Sequence, residues 1–364
     1  MIMVLPLAIA ASFLVTLTLM PIVIRVFKSI NLLDKPDKRK IHSVSTPSLG
    51  GIAIFAGIIF ALLLSTSLVD IATEKYFLGA TVLIFLLGVR DDLSSLLAQH
   101  KLVVQIFSAF MVVYFGDVQI HGLNGLFGIT SFPWVFNEIF TVFVIVVMTN
   151  AFNLIDGIDG LAGSIALIIS SFLGWVAFQS GYYVDACLAF SISGASLGFL
   201  LYNWYPSKVF MGDTGSMVFG FMLTTLMVKF LAIPIPPSTI LAPVATSFAL
   251  FILPIYDTLR VILIRFVTGA PPLAPDRNHT HHVLLKLGLT HGHSTLCLAS
   301  YNIFVITMAV VFQSVGELWL IFIMAVLTAS IGAILDRKLI RREAARLAKI
   351  MPPEIKLSKT HTSV

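Results

Sequence analysis

The fold this sequence predicts is all-α: a polytopic bundle of about eleven transmembrane helices, with the N-terminus outside and the C-terminus in the cytoplasm. Three observations predict it. Charged residues make up only 11% of the 364, hydrophobic residues make up 58%, and the mean hydropathy is +0.98. Soluble domains are charged at about a quarter of their positions, so a chain this poor in charge covers its surface only if most of it faces lipid. Apolar runs of spanning length recur along the chain, and Lys and Arg gather in alternate loops.

The first run, Ile2 to Ile24, has no Lys or Arg ahead of it and is too long for the apolar part of a secretory leader. It reads as a spanning helix over 4–24. Further segments fall at approximately 51–69, 76–90, 102–116, 134–151, 161–178, 185–202, 216–232, 239–263, 297–313 and 318–335. The segments at 76–90 and 102–116 are short, which predicts tilted or broken helices. Pro243 and Pro254 predict a kink or two half-helices in 239–263. Alternation around Val118 and Ile120 predicts a small hairpin within 117–133. Beyond 335 a basic amphipathic helix follows, expected to lie on the anionic inner leaflet. The chain thus divides into a transmembrane unit, 1–335, with cytoplasmic active-site loops, and a basic cytoplasmic tail, 336–364. Cys187 and Cys297 both sit in apolar runs, so no disulfide is expected.

Orientation follows from the basic residues. With the N-terminus outside, all of the 23 Lys and Arg except Lys75 and Lys229 fall on the inner side. Cytoplasmic loops carry such an excess.

An ionised carboxylate at membrane depth is costly unless paired or metal-bound, so the acidic residues are informative. Asp91, Asp92, Asp156, Asp159, Asp213 and Asp257 fall at the inner ends of the segments. Two adjacent carboxylates, Asp91 and Asp92, repel, and magnesium or a cationic partner would stabilise both. In Asn150-Ala-Phe-Asn153-Leu-Ile-Asp156-Gly-Ile-Asp159-Gly the polar groups recur every third residue. On a helical turn that spacing lines one face, and Gly157 and Gly160 permit close approach to a ligand. Phe210-Met-Gly-Asp213-Thr-Gly-Ser216 offers backbone N–H groups and a carboxylate together, as a magnesium–diphosphate complex requires; helix capping by Asp213 or Ser216 is the structural alternative.

Pro275-Asp-Arg277-Asn-His279-Thr-His281-His282 combines imidazoles with a guanidinium and has no cysteine, which favours phosphate contact over a transition-metal site. Arg39 and His42, followed by Gly50-Gly51 at a helix entrance, suggest anion capture. A carboxylate cluster for magnesium (manganese being the alternative), basic groups for several phosphates, and a site at the membrane face together suggest phosphoryl transfer involving a lipid phosphate.

These motifs, in this order from about residue 31 to 295, resemble the polyprenyl-phosphate N-acetylhexosamine-1-phosphate transferases, a glycosyltransferase 4 type family. The Pro-Asp-Arg277-x-His279-x-His281-His282 pattern and the Leu-Leu-x-x-Gly-Leu after it are similar to the branch acting on undecaprenyl phosphate. The phospho-N-acetylmuramoyl-pentapeptide branch carries Phe-Glu after its histidines and a lysine shortly after its aspartate pair. Here Val283-Leu284 and Leu93-Ser94-Ser95 stand in those places. The preferred branch commonly has two basic residues after the pair, where this chain has Gln99 and Lys101.

The resemblance implies transfer of N-acetylglucosamine 1-phosphate from UDP-N-acetylglucosamine to undecaprenyl phosphate with release of UMP. That would be the first membrane step of a surface polysaccharide such as an O-antigen, lipopolysaccharide or cell-wall polymer. It implies an inner-membrane, multi-pass enzyme with its site facing the cytoplasm, no nucleic-acid partner, and a homodimer left open. Asp91, Asp92, Asp156 and Asp159 are the implied catalytic carboxylates, Asp91 engaging the lipid phosphate. Asp213 and Asn153 are the implied magnesium ligands. Asp159 and Asn203 would read the uridine and Phe210 would stack on the uracil. Lys101, Arg277, His279, His281, His282, Arg39 and His42 would hold the phosphates and sugar. Another UDP-N-acetylhexosamine donor is the alternative, and a secondary transporter is the non-enzyme alternative. A CDP-alcohol transferase needs Asp-Gly-x-x-Ala-Arg, whereas Asp159-Gly-Leu-Ala162 continues here with Gly163 and Ser164 and no arginine.

Overall fold

The computed structural model describes residues 4–29, 46–236, 239–269 and 279–350. Helices occupy each of the segments the sequence marks out: α1 (Val4–Ser29), α2 (Gly51–Ser65), the short α3 (Leu68–Thr73), α4 (Lys75–Leu93), α5 (Ala98–Phe110), α6 (Trp134–Leu154), α7 (Leu161–Gln179) and α8 (Tyr183–Asn203). They continue as α9 (Gly212–Ala232), α10 (Pro243–Leu250), α11 (Ile252–Thr268), the short α12 (Thr280–Lys286), α13 (His291–Val311) and α14 (Glu317–Ile350). Among the described residues eight helices are long and apolar enough to cross a membrane, and the bent pair α10–α11 makes a ninth. The chain is therefore an all-α polytopic bundle. Helices are the natural solution because hydrocarbon offers no partner for an open backbone N–H or C=O.

The central helix is α9, buried along nearly its whole length and contacted by α2, α4, α6, α7, α8 and α10. Small residues permit that crowding. A Cβ on Gly51 of α2 would lie 2.2 Å from the Gly215 nitrogen, and one on Gly88 of α4 would lie 2.4 Å from the Thr214 Cα. Close backbone approach of this kind is how membrane helices gain packing without a hydrophobic driving force between them. Phe152, Phe199, Phe219, Phe221 and Phe251 fill the interior around it.

The short segment at 102–116 is completed by a π-helical turn, Met111–Phe115, at the end of α5. The segment at 239–263 is broken as its prolines predict: α10 and α11 meet at 69°. Pro254 has no N–H for the Leu250 carbonyl. Asn302 of α13 supplies the replacement, its Nδ2 donating to the carbonyls of Ala249 (3.0 Å) and Leu250 (3.3 Å). Glu317 caps the other end of α10 by accepting from the N–H groups of Val244 and Ala245.

One local expectation is corrected. Residues 117–133 form a closed turn rather than a strand-paired hairpin, with a 3-10 turn at Leu126–Gly128 and cross-bonds only from Leu123 and Gly125 to Ile129 and from Phe132 to His121. The basic residues from 336 to 350 belong to α14, which runs without a break for 34 residues, about 51 Å at 1.5 Å per residue, well beyond a hydrocarbon core of about 30 Å. Its Arg342 guanidinium lies over Gly288, between α12 and α13.

Candidate active site

Because successive helices run in opposite directions, the end of α4, the start of α5, the ends of α6 and α8 and the start of α9 come to one face of the bundle. A polar cavity of about 550 Å³ opens there. Asp91, Asp92, Asn153, Asp156, Asp159, Asn203, Phe210, Asp213, His279, His281 and His282 all line it, together with Ser48 and Ser95. Arg39, His42 and Arg277 lie outside the described residues. Of the remaining candidates only Lys101 is not on the cavity wall, and it holds two residues that are.

The start of α9 is the centre of the site. Gly212 has φ +71°, and a Cβ there would lie 1.8 Å from the Ser48 carbonyl oxygen and 2.5 Å from Asp92 Oδ2, so only glycine fits. The turn delivers the first N–H groups of α9 to the Asp92 carboxylate. Asp213 N donates to Oδ1 at 2.8 Å, Thr214 N to Oδ2 at 3.0 Å and Thr214 Oγ1 to Oδ2 at 2.6 Å. Asp92 therefore caps α9 from another helix, where a negative charge also meets the positive end of the helix dipole. Capping by Asp213 or Ser216, the local alternative, does not occur: Ser216 Oγ donates to Asn153 Oδ1 (2.6 Å) and to the Gly212 carbonyl (2.8 Å). Asp213 is left facing the cavity.

Lys101 sits between two carboxylates. Its Nζ contacts Asp91 Oδ2 and lies 2.8 Å from Asp213 Oδ2. The other oxygen of the buried Asp91 accepts from Leu96 N at 2.6 Å. Lys101 was expected on phosphate and Asp91 on the lipid headgroup; in this structure both are engaged with one another.

The row from Asn150 to Asp159 does not share one face, because α6 ends at Leu154 and 155–160 is a turn. Asn150 pairs inside the bundle with Gln105 in two hydrogen bonds. Asp156 lies on the cavity wall. Burial, reinforced by the charges of Asp213, Asp92 and Asp159, pushes its carboxyl up to about 7. Asp159 is buried: its environment disfavours charge, but the His291 ring and Ser207 outweigh this and hold its carboxyl below the usual range. Thr295 Oγ1 donates to the Asp159 carbonyl (2.7 Å).

Asn203 was expected to read the uridine. Both ends of its amide are instead bound to backbone: Gly160 N donates to Oδ1 and Nδ2 donates to the Val209 carbonyl, each at 2.8 Å. It staples the 155–160 turn to the α8–α9 connection. Glycines expected to admit ligand admit protein atoms. A Cβ on Gly157 would lie 2.2 Å from His281 Nε2, and one on Gly160 would lie 3.1 Å from the Trp204 ring. The N–H groups of Gly50 and Gly51 bind the Phe210 and Met211 carbonyls and so are not an anion cradle.

The histidines divide by role. His281 is buried, and that burial, opposed by Asp257 and reinforced by the His282, His279 and His291 rings, depresses its ring to about 3. A ring so held is neutral, and it remains on the cavity wall. His279 also lines the cavity, with Nδ1 2.6 Å from Asp257 Oδ2.

The residues 75–231 match the family described as glycosyl transferase family 4. The chain is 34% identical, over 88% of both chains, to a Bacillus subtilis (strain 168) protein named "Probable undecaprenyl-phosphate N-acetylglucosaminyl 1-phosphate transferase". It is 30% identical to the undecaprenyl-phosphate alpha-N-acetylglucosaminyl 1-phosphate transferase of Escherichia coli (strain K12), over 73% of this chain and 72% of that one. A decaprenyl-phosphate N-acetylglucosaminephosphotransferase of Mycolicibacterium smegmatis is 32% identical over 72% and 71%. The chain belongs to glycosyl transferase family 4.

The family-4 segment contains Asp91, Asp92, Asn153, Asp156, Asp159, Asn203 and Asp213, and the histidine helix α12 lies beyond it. Asp257 and His291 make contacts at this family-4 site that the sequence alone does not assign, and Ser216, a capping candidate, bonds to Asn153 instead. Asp257 had a visible signal, as a lone carboxylate in an apolar helix. His291 and Ser216 had none, because their partners are Asp159 and Asn153, far away in sequence.

Proposed function

We propose that this family-4 enzyme transfers N-acetylglucosamine 1-phosphate from UDP-N-acetylglucosamine to undecaprenyl phosphate and releases UMP. The relatives' names supply the reaction class, and the cavity at the end of the bundle supports it. The observation that carries the reading is the convergence of Asp91 and Asp213, from different helices, on one cationic nitrogen beside a polar cavity at the bundle face. The bias of Lys and Arg supports a cytoplasmic orientation of that face in a bacterial inner membrane, on the side where nucleotide sugars are made. The product would begin a surface polysaccharide.

Among the described residues no group of three or more His, Cys, Asp or Glu forms a metal cage. Magnesium in nucleotide sites needs only one or two carboxylates plus phosphate oxygens. Asp213 fits that requirement, with Asn153 adjacent through Ser216, because its carboxylate already holds a cation. Magnesium, with manganese as a substitute, would there neutralise the diphosphate and the departing UMP.

The chain's own residues supply the rest. A phosphate monoester is mostly dianionic at neutral pH, so attack on the β-phosphorus requires no base. The obstacle is repulsion, on the order of 4 kcal/mol for two unit charges 4 Å apart at an effective dielectric of 20. Asp91 acts through Lys101, holding the ammonium where the two phosphates meet. Phe210, on the cavity wall, offers its ring to the uracil. The reaction is a single displacement.

The test is purified enzyme in detergent with undecaprenyl phosphate, magnesium and a panel of UDP-sugars, measuring UMP. UDP-N-acetylglucosamine is expected to be the donor and Asp213→Ala to abolish turnover. Normal turnover in that variant overturns the metal assignment, and release from a different UDP-N-acetylhexosamine alone overturns the donor.

A further inference from the structure

Asp257 is 4% exposed in α11, and a carboxylate so placed within a membrane bundle needs a partner for each oxygen. It has both. Oδ2 lies 2.6 Å from His279 Nδ1, and Oδ1 accepts from Thr280 N at 2.6 Å. The 69° bend between α10 and α11 leans α11 across the bundle to meet these residues. The turn carrying Asp257 is braced from the other side by α14. The Tyr256 hydroxyl occupies the space a Cβ on Gly332 would fill, and Arg260 Nη2 lies 2.6 Å from Asp336 Oδ1.

Capping the seven-residue α12 at Thr280 requires one oxygen, which Asn, Ser or Thr would provide as well. What distinguishes a carboxylate is the second oxygen. An ionised carboxylate only accepts, so His279 Nδ1 must carry the hydrogen and Nε2 is the nitrogen left to a ligand. His279 lines the cavity, and its ring is held parallel to that of His281, with centroids 5.4 Å apart and planes at 7°. Position and tautomer are thus both set before substrate arrives.

We propose that Asp257 is a positioning residue for the transfer reaction, fixing the ring and tautomer of His279 so that Nε2 meets the nucleotide sugar as a hydrogen-bond acceptor. This rests on the reaction proposed above. Nε2, carrying no hydrogen, accepts from a hydroxyl or the acetamido N–H of the sugar.

The test uses Asp257→Asn, Asp257→Glu, His279→Ala and the double variant Asp257→Asn/His279→Ala in the full-length enzyme. Asn keeps an oxygen for Thr280 N–H but turns an NH2 group toward Nδ1, so the neutral ring takes the other tautomer while the cap survives. The expected result is a fall in kcat/KM for UMP release of about tenfold or more, because Nε2 then carries a hydrogen where the sugar presents its own donor. Asp257→Glu is expected to recover part of the rate, and the double variant to be no slower than His279→Ala. A second readout needs no substrate. In protein carrying 15N-histidine, the His279 signals, identified by their loss in His279→Ala, are expected to move from the Nδ1-protonated to the Nε2-protonated pattern in Asp257→Asn. Wild-type turnover in Asp257→Asn, multiplied losses in the double variant, or an unmoved tautomer overturns the proposal. Absence of UMP release by the wild-type enzyme overturns the reaction itself and the proposal with it.

Discussion

Replacing Asp92 separates two meanings of the aspartate pair. In Asp92→Ala the N–H groups of Asp213 and Thr214 and the Thr214 hydroxyl all lose their acceptor at once. Loss of a helix cap costs about 0.5–2 kcal/mol. Removing a charge from the positive end of a helix adds about 0.3–1 kcal/mol at an exposed site and up to about 2 kcal/mol when partly buried. Together these come to roughly 1–4 kcal/mol, concentrated on the turn that presents Asp213. Asp92→Asn keeps one acceptor oxygen but opposes an NH2 group to one of the N–H donors, so an intermediate loss is expected. The assay is unfolding in detergent, followed by tryptophan fluorescence, beside UMP release on the same preparations. Stability is expected to fall in the order wild type, Asn, Ala, and activity to fall with it. If Asp92→Ala keeps wild-type stability and still loses turnover, Asp92 acts on substrate and the capping account is refuted.

Asn203→Ala breaks two hydrogen bonds to backbone and should cost roughly 1–3 kcal/mol of stability at 0.5–1.5 kcal/mol each. A rise in donor KM with unchanged unfolding would restore Asn203 as a uridine contact. The Asp156 carboxyl, raised from an unfolded value of 3.8 to about 7, gives a pH signature. Between those values the folded protein binds more protons than the unfolded chain, so this group's contribution to stability is greatest below pH 4, declines as pH rises and levels off above about 7. In denaturation at several pH values without divalent cations, Asp156→Asn should remove that decline and be the more stable relative to wild type above pH 7. An unchanged pH slope would show that Asp156 ionises normally.

Much of the membrane architecture is legible in the linear chain. Apolar run length, the prolines at 243 and 254, and the low charge predict which segments become helices and which one breaks, because hydrocarbon leaves the backbone few alternatives. The motif residues are legible too: nearly every candidate among the described residues lines one cavity. Their individual tasks are not. A carboxylate at a helix end can cap another helix, as Asp92 does, or grip a lysine, as Asp91 does, or face open space beside one, as Asp213 does. An amide can read a ligand or, like Asn203, staple two loops. These outcomes turn on which atoms come within about 3 Å of each other, the range of a hydrogen bond. That range is set by how α4, α9, α11 and α12 cross, and the crossings depend on side-chain fit between residues distant in sequence. Helices, polar face and family resemblance are thus readable from the linear chain, whereas which polar residues hold the site and which face the cavity depends on helix crossings that no local pattern encodes.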